Sequence, residues 1–299
     1  MLKDEDAGIA FALAGFVILS CGDAVIKTMA GQWPPLAVAA LRFSIGAALL
    51  SALLAIKEGR AAFRPQRPRV QLMRGVFLAM ASLCFFSAIY VMPLAQATAL
   101  VFLSPIITAL LSGPLLKEKV PRKTWIASII AFAGTLLVLR PNLADLGLIA
   151  LLPLGSALSF SLMILANRLV AGQGSSLSMQ VFAAAGAAPI LIVCALLGNA
   201  SGISALAFGW PDTSVIMRCL IVAITASTAH WLIYLGTTRA GAATIAPMTY
   251  AQLLVAIALG WGVFGERPDI VTMAGAIVII SAGILLRQRR APQQNSITD

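Results

Sequence analysis

Ten apolar stretches, each about long enough to cross a bilayer, constrain what this chain can fold into. A membrane-spanning helix needs about 20 mostly apolar residues, and Gly or Pro residues mark most of the boundaries between the stretches. In lipid, a helix satisfies its own backbone hydrogen bonds. The sequence therefore predicts an all-α polytopic membrane protein with ten transmembrane helices. The predicted spans cover residues 7–30, 36–56, 71–92, 95–116, 123–140, 146–166, 177–197, 214–236, 243–264 and 270–287.

The composition excludes several functional classes. The 299 residues are 60% hydrophobic and only 11% charged, whereas soluble domains carry about 25% charged residues, so no large soluble domain is expected. The four cysteines lie in apolar runs without a CxxC spacing or a nearby histidine. We interpret them as packing residues, and we expect neither a metal site nor a cofactor.

Lysine and arginine are distributed unequally between the two sides of the predicted membrane. Sixteen of the 21 fall on the side that holds both termini, two fall on the opposite side, and three fall within spans. An excess of basic residues marks cytoplasmic loops, so the termini are predicted to be cytoplasmic and the chain to lie in the cell inner (cytoplasmic) membrane. This placement explains the net charge of +10 without a nucleic-acid partner.

Two stretches of the chain repeat one plan. Residues 95–118 and 243–266 each begin with small residues, continue as an apolar run and end in a glutamate; Ile-Tyr precedes each stretch and Ala-Gly follows it. This duplication predicts two units, residues 1–142 and 143–299, the second with a short disordered tail from about residue 288. Each unit has five spans, an odd number, so the second must be inverted. Inverted repeats are typical of secondary transporters, whose substrate site lies near the midplane between the halves.

The chain resembles the EamA-type members of the drug/metabolite transporter superfamily over about residues 7–290. The resemblance rests on Gly113-Pro114-Leu115-Leu116-Lys117-Glu118 with Ala133-Gly134, and on Gly262-Val263-Phe264-Gly265-Glu266 with Ala282-Gly283. Within the superfamily, the chain looks most like the YddG-type amino acid exporters. The resemblance implies a central cavity lined by helices 1, 3, 4, 6, 8 and 9. It also places Glu118 and Glu266 in turns, where we expect them to be structural.

Charged residues within the spans are the first candidates for the site, because each costs about 2.5–3.5 kcal/mol to insert. Asp23 is the one acidic residue in a predicted span, and Lys27 follows it by one helical turn. The two either neutralise each other within the helix or meet the amine and carboxylate of a zwitterion, or Lys27 snorkels to the outer surface. Arg42 and Arg218 lie near predicted span ends, so we expect their side chains to snorkel.

Polar and aromatic faces supply the other candidates. Ser227, His230, Trp231 and Tyr234 recur at helical spacing and share one side of predicted helix 8. His230 is either a hydrogen-bonded interior residue or a proton carrier. Such polar residues line a cavity or join helices to one another. Further substrate-binding candidates on predicted helices 3, 4, 6 and 9 are Ser82, Phe85, Phe86, Tyr90, Ser104, Ser156, Ser159, Met163, Asn167, Tyr250 and Gln252.

The candidate residues together indicate a neutral small-molecule cargo. They are apolar and aromatic with a few hydrogen-bonding groups, as small-molecule pockets usually are, and they lack the basic cluster that a phosphate ester needs. The sequence predicts a secondary transporter that exports hydrophobic or aromatic amino acids by alternating access, as a monomer or weak homo-oligomer. Other neutral metabolites or drugs, lipid scrambling and a structural role are alternatives. Proton coupling and facilitated diffusion both stay open.

An enzymatic role is not expected. An intramembrane hydrolase or transferase needs a nucleophile–base pair or a metal set. The chain has one histidine and contains neither an HExxH nor a GxSxG motif.

Overall fold

The computed structural model is all-helical over the residues that it describes, which are 2–116, 122–170, 172–245, 248 and 250–287. Three short 3-10 helices in this part cover Arg60–Phe63, Gly147–Leu151 and Ser204–Leu206. The α-helices are α1 (Leu2–Lys27), α2 (Pro35–Lys57), α3 (Pro68–Val91), α4 (Leu94–Val101), α5 (Ser104–Leu116), α6 (Arg122–Leu146), α7 (Leu152–Leu169), α8 (Ser176–Ala200), α9 (Thr213–Ile245), α10 (Tyr250–Phe264) and α11 (Ile270–Arg287).

Seven helical segments of the described chain are long and apolar enough to cross a membrane. They are Asp6–Lys27, Pro35–Lys57, Pro68–Val91, Leu94–Leu115, Gly147–Leu169, Ser176–Ala200 and Thr213–Gly236. Shorter apolar segments of α6, α10 and α11 cover Trp125–Leu139, Ala251–Phe264 and Ile270–Ala282. The chain is therefore a polytopic membrane protein, and a crossing by each of the three shorter segments stays a prediction.

The predicted span over residues 95–116 is broken into two helices. α4 ends at Val101 and α5 begins at Ser104, because Pro105 has no amide hydrogen with which to continue the helical ladder. The carbonyl oxygen of Ser104 accepts a hydrogen bond of 2.8 Å from the Ser161 hydroxyl of α7. The break is thus stabilised by the neighbouring helix, and α4 packs against α7, α10 and α11.

Helix packing is symmetric when the first five predicted spans are matched in order to the last five. α1 packs against α9 and α10, and its counterpart α7 packs against α3 and α5. α2 packs against α9, and its counterpart α8 packs against α3. Two further pairs, α2 with α8 and α6 with α11, each join a helix to its own counterpart.

Glycines allow several of these helices to approach closely. A Cβ atom added to Gly75 of α3 would lie 2.6 Å from the carbonyl carbon of Gly186 in α8. One added to Gly134 of α6 would lie 2.8 Å from the backbone oxygen of Gly275 in α11. Small residues at such crossings let membrane helices pack closely. These glycines therefore determine how closely α3 approaches α8 and α6 approaches α11.

Candidate functional site

The acidic part of a central cluster lies between α1 and α10. Asp23 Oδ2 accepts a hydrogen bond of 3.1 Å from Gln252 Nε2. The Ser20 hydroxyl, one helical turn before Asp23, donates to the backbone carbonyl of Gln252 at 3.1 Å. Both bonds join residues more than 200 positions apart, so helices from opposite ends of the sequence hold this carboxylate in place.

The basic part of the central cluster is Arg42 of α2. Its guanidinium carbon lies 4.3 Å from the centre of the Phe43 ring and 5.6 Å from that of Phe86 in α3. Aromatic faces attract a guanidinium through their quadrupole, by about 0.5–2 kcal/mol. We call Asp23, Gln252, Arg42, Phe43 and Phe86 the central cluster.

The two charges of the central cluster are close but not paired. The Asp23 carboxylate and the Arg42 guanidinium lie within electrostatic range of each other. They form no ion pair within 4.0 Å in the described part of the chain. Arg42 is also within electrostatic range of Cys219 and His230 in α9, so it lies where α1, α2, α3 and α9 converge.

The position of Arg42 corrects the expectation that it snorkels to the membrane surface. It is the eighth residue of α2, about 10 Å along the helix from its first residue at 1.5 Å per residue. Its side chain lies against Phe43 and Phe86 rather than extending to the helix end. A charge inside a span needs an explanation, and this rule applies to Arg42 as much as to Asp23. The rule is the sequence signal that points to Arg42 as a site residue.

Lys27 forms an ion pair across the bundle and not with Asp23, which corrects the pairing expected within α1. Its Nζ lies 2.5 Å from Glu266 Oε1 and donates to the carbonyl oxygen of Met92 at 2.6 Å. Glu266 Oε2 accepts from the backbone amide of Leu94 at 2.9 Å. We call these four residues the Lys27–Glu266 cluster. It joins the end of α1 to the α3–α4 junction and to the residues after α10.

Arg218 also binds the end of α1 rather than snorkelling freely. Its guanidinium donates to the backbone carbonyl of Thr28 at 3.0 Å and to the Ser214 hydroxyl at 3.3 Å. The last carbonyls of a helix lack partners within the helix and favour a cation. Together with the Lys27–Glu266 cluster, this contact closes one end of the bundle around the last turn of α1.

Asn167 has a structural partner, which corrects its expected role in substrate binding. Its side-chain oxygen accepts from Arg74 Nε of α3, and the same guanidinium binds Gln71 and the backbone carbonyl of Met179 in α8. The Arg74 side chain is buried. The hydrogen bonds of Arg74 hold α3, α7 and α8 together. The side-chain oxygen of Asn167 already accepts one of them.

The other candidate residues differ in burial and in whether their polar groups already have hydrogen-bond partners. The hydroxyl of Ser156 is buried and donates to the backbone carbonyl of Ala81 at 2.8 Å, so it joins α7 to α3. Ser104 is likewise buried at the α4–α5 break. By contrast, the buried Tyr90 hydroxyl has no hydrogen-bond partner among the described residues. The side chains of Phe85, Ser82, Ser159 and Met163 are partly buried.

Two predicted residues lie outside what the structure describes. Glu118 falls among residues 117–121, and the side chain of Tyr250 is not described although its backbone begins α10. In the described part, no group of three or more His, Cys, Asp or Glu side chains could hold a metal ion.

The predicted face of α9 lies beside the central cluster. His230 Nδ1 donates to the carbonyl oxygen of Ala226 at 2.6 Å, since a carbonyl can only accept. That bond leaves Nε2 available as an acceptor. The Ser227 hydroxyl donates back to Ala223 at 2.8 Å. Trp231 and Tyr234 are 56% and 46% exposed, so they form an open side of α9 and not part of its packed side.

We expect Trp231→Ala and Tyr234→Ala each to weaken transport of bulky substrates severalfold, because both rings lie on the open side of α9. Neither ring is buried, so protein insertion should stay unchanged. Initial transport rates normalised to the amount of inserted protein measure the effect. Unchanged rates in both variants would remove this face from the transport path.

A family model matches the chain twice. The model of the EamA-like transporter family covers residues 6–140 and again residues 147–287. The chain belongs to the EamA-like transporter family. It is a multi-pass membrane transporter, and the family places it among transporters and not among enzymes.

Curated relatives of this EamA-like transporter cover nearly the whole chain. An S-adenosylmethionine uptake transporter of Rickettsia bellii is 25% identical over 95% of this chain and 94% of its own length. A riboflavin transporter of Vibrio cholerae is 28% identical, with coverage of 93% and 90%. A pseudopaline exporter of Pseudomonas aeruginosa is 26% identical, with coverage of 95% and 97%. These relatives lend no support to the narrower resemblance to YddG-type amino acid exporters.

One solved crystal structure shows the same fold. Its chain is 21% identical, with a TM-score of 0.63, and the match covers 95% of this chain and 99% of that one.

Proposed function

We propose that this EamA-like transporter carries a small organic metabolite by alternating access, through a site at the central cluster. The observation that carries the proposal is the placement of Asp23 and Arg42. They are opposite charges inside the membrane-spanning bundle that do not form an ion pair with each other. Charged side chains at such positions mark substrate or ion pathways. Helices from both halves of the chain supply the cluster, as expected for a site between two repeats.

The proposed architecture has ten spans in two inverted five-helix units, with both termini cytoplasmic. The symmetric packing of the helices supports it, because α1 and α7, and likewise α2 and α8, have corresponding neighbours. The double match of the family model, over residues 6–140 and 147–287, agrees with such a duplication. The excess of lysine and arginine on one side supports the orientation. In this orientation, the Lys27–Glu266 cluster closes the outer end of the bundle.

The proposed cargo is not restricted to amino acids, and the direction of transport is not restricted to export. The relatives are named for transport of S-adenosylmethionine, riboflavin and pseudopaline. Such names favour metabolites larger and more polar than the hydrophobic amino acids expected from the sequence. One name specifies uptake and another specifies export. We therefore propose a carrier whose direction follows the substrate gradient.

Counterflow in proteoliposomes tests the proposal. Vesicles that contain the full chain are loaded with unlabelled S-adenosylmethionine, riboflavin or an amino acid, and the labelled form is added outside without an ion gradient. We expect accumulation of at least one labelled solute under these conditions, so that transport does not require a pH gradient. Absence of counterflow for every solute, with labelled phospholipid moving between leaflets instead, would support a scramblase and contradict the carrier.

A further inference from the structure

Arg42 has donors that no residue in the described part of the chain uses. Its buried Nε lacks a hydrogen-bond partner, and within the described chain its guanidinium donates no hydrogen bond. Phe43 and Phe86 interact with the charge through their rings, which cannot accept two parallel N–H bonds. Arginine stays protonated in proteins, and a charge held away from water is costly without a partner. Its fork of donors matches a carboxylate.

Asp23 has an acceptor that is also free. Gln252 occupies Oδ2 at 3.1 Å, and the other carboxylate oxygen accepts no hydrogen bond from the residues that the structure describes. Because Asp23 and Arg42 do not pair directly, each keeps hydrogen-bonding capacity that the other does not use. A ligand with the complementary charges can contact both.

Three neighbouring charged or titratable residues already have partners, whereas the Tyr90 hydroxyl and Nε2 of His230 do not have one among the described residues. Lys27 is paired with Glu266, Arg218 binds the carbonyl of Thr28, and His230 donates through Nδ1 to its own helix. The carboxylate of Asp23 and the guanidinium of Arg42 therefore keep unused hydrogen-bonding capacity in the central cluster, and their charges sum to zero. A phosphate ester would bring excess negative charge to such a site, whereas a molecule with one carboxylate and one cationic centre matches it.

We propose that the central cluster recognises an amino acid zwitterion, free or as part of a larger metabolite, with the ligand carboxylate on Arg42 and its ammonium group on Asp23. This inference rests on the proposed carrier function.

Matched analogues test the inference on the unmodified protein. Counterflow of labelled L-methionine, L-phenylalanine, S-adenosylmethionine and riboflavin is measured in proteoliposomes. The transported zwitterion is then competed with its unlabelled form, its methyl ester, which lacks the carboxylate, and its deamino acid, which lacks the ammonium group. We expect each analogue to compete about tenfold or more weakly, because each loses one charge-assisted hydrogen-bonded contact.

Two variants assign the charges to the two residues. In Arg42→Gln, the ester should compete as well as the parent amino acid, and in Asp23→Asn the deamino acid should do so. Arg42→Lys keeps the charge but not the fork, so it should retain part of the preference for the parent. The control is Arg60→Gln, an exposed arginine of the loop after α2, and it should match the native protein. Since the analogue competition uses the native chain, a variant that fails to fold does not affect it.

The outcomes separate this inference from the proposed function. Equal competition by the parent, ester and deamino acid would overturn zwitterion recognition while the carrier stands. Counterflow of riboflavin without any of the three zwitterions would do the same. Counterflow of none of the four solutes would contradict both.

Discussion

Glu266→Gln is expected to open the end of the bundle that we propose to face outward and to expose Cys219. The change leaves the Lys27 ammonium without its ion-pair partner and weakens the acceptor for the Leu94 amide. Both side chains retain some solvent contact, at 11% and 17% exposure, so the loss is about 1–2 kcal/mol, below that of a fully buried pair. That loss shifts the closed and open populations by about tenfold. Cys219 lies beneath this end with its sulfur 3.9 Å from that of Met29.

A membrane-impermeant thiol reagent added from outside measures the opening. Cys21, Cys84 and Cys194 are first replaced by alanine, so that the fully buried Cys219 is the reporter. Labelling should rise about tenfold in Glu266→Gln. The neighbouring exposed arginine supplies the control, since Arg267→Gln should label as slowly as its parent.

A double variant distinguishes loss of the ion pair from loss of one residue. Lys27→Met combined with Glu266→Gln removes both charges, so no unpaired ammonium is left in the bundle. It should be more stable than Glu266→Gln alone. Labelling of Cys219 in Glu266→Gln at the parental rate would show that this cluster does not hold the outer end closed.

Gly75→Leu is expected to separate α3 from α8 and to destabilise the protein. The added Cβ would lie 2.6 Å and 2.7 Å from two backbone atoms of Gly186, and backbone atoms cannot rotate away as the end of a side chain can. Overpacking of this kind costs about 3 kcal/mol. The same crossing positions Arg74, Gln71 and Met179, so their hydrogen bonds should be lost as well.

Thermal unfolding of the purified protein in detergent measures this cost. By the scaling known for soluble domains of this size class, about 3 kcal/mol lowers Tm by about 10 °C. Gly262→Leu is the matched control, because Gly262 lies in α10 and its Cβ would meet no atom within 4 Å. An equal Tm for native protein and Gly75→Leu would mean that α3 and α8 do not cross this closely.

Hydropathy alone located the helices well but not their interruptions. Most predicted spans overlap one helix or a pair of successive helices, because about 20 apolar residues have few alternatives to helix in lipid. The predicted span over residues 243–264, however, begins within α9 and ends in α10. The break between α4 and α5 depends instead on Pro105 and on an acceptor contact with Ser161. Ser161 is 57 residues away from the break, so the local pattern contained no sign of the contact.

The site was harder to predict, because these helices are apolar on nearly every side. Periodicity shows which residues share a face, but not which helix lies opposite that face. Asp23 and Lys27 do share a side of α1, yet Glu266 from the other end of the chain is the partner of Lys27. Asn167 and Ser156 were chosen for their polarity, and each instead satisfies a residue of α3. The sequence predicts snorkelling for Arg42 because this residue lies near a span end. That prediction misses its place in the central cluster.

The balance of charges inside the bundle determines how this carrier responds to membrane voltage. Moving one elementary charge across 100 mV changes the free energy by about 2.3 kcal/mol. Asp23 is balanced by Arg42, and Lys27 by Glu266, so these groups add no net charge to a change between open states. At equilibrium, the distribution of a cargo that is not coupled to an ion depends on the cargo's own charge. A zwitterion would equilibrate at equal concentrations on both sides, whereas a cargo with one extra positive charge would accumulate inside an energised cell.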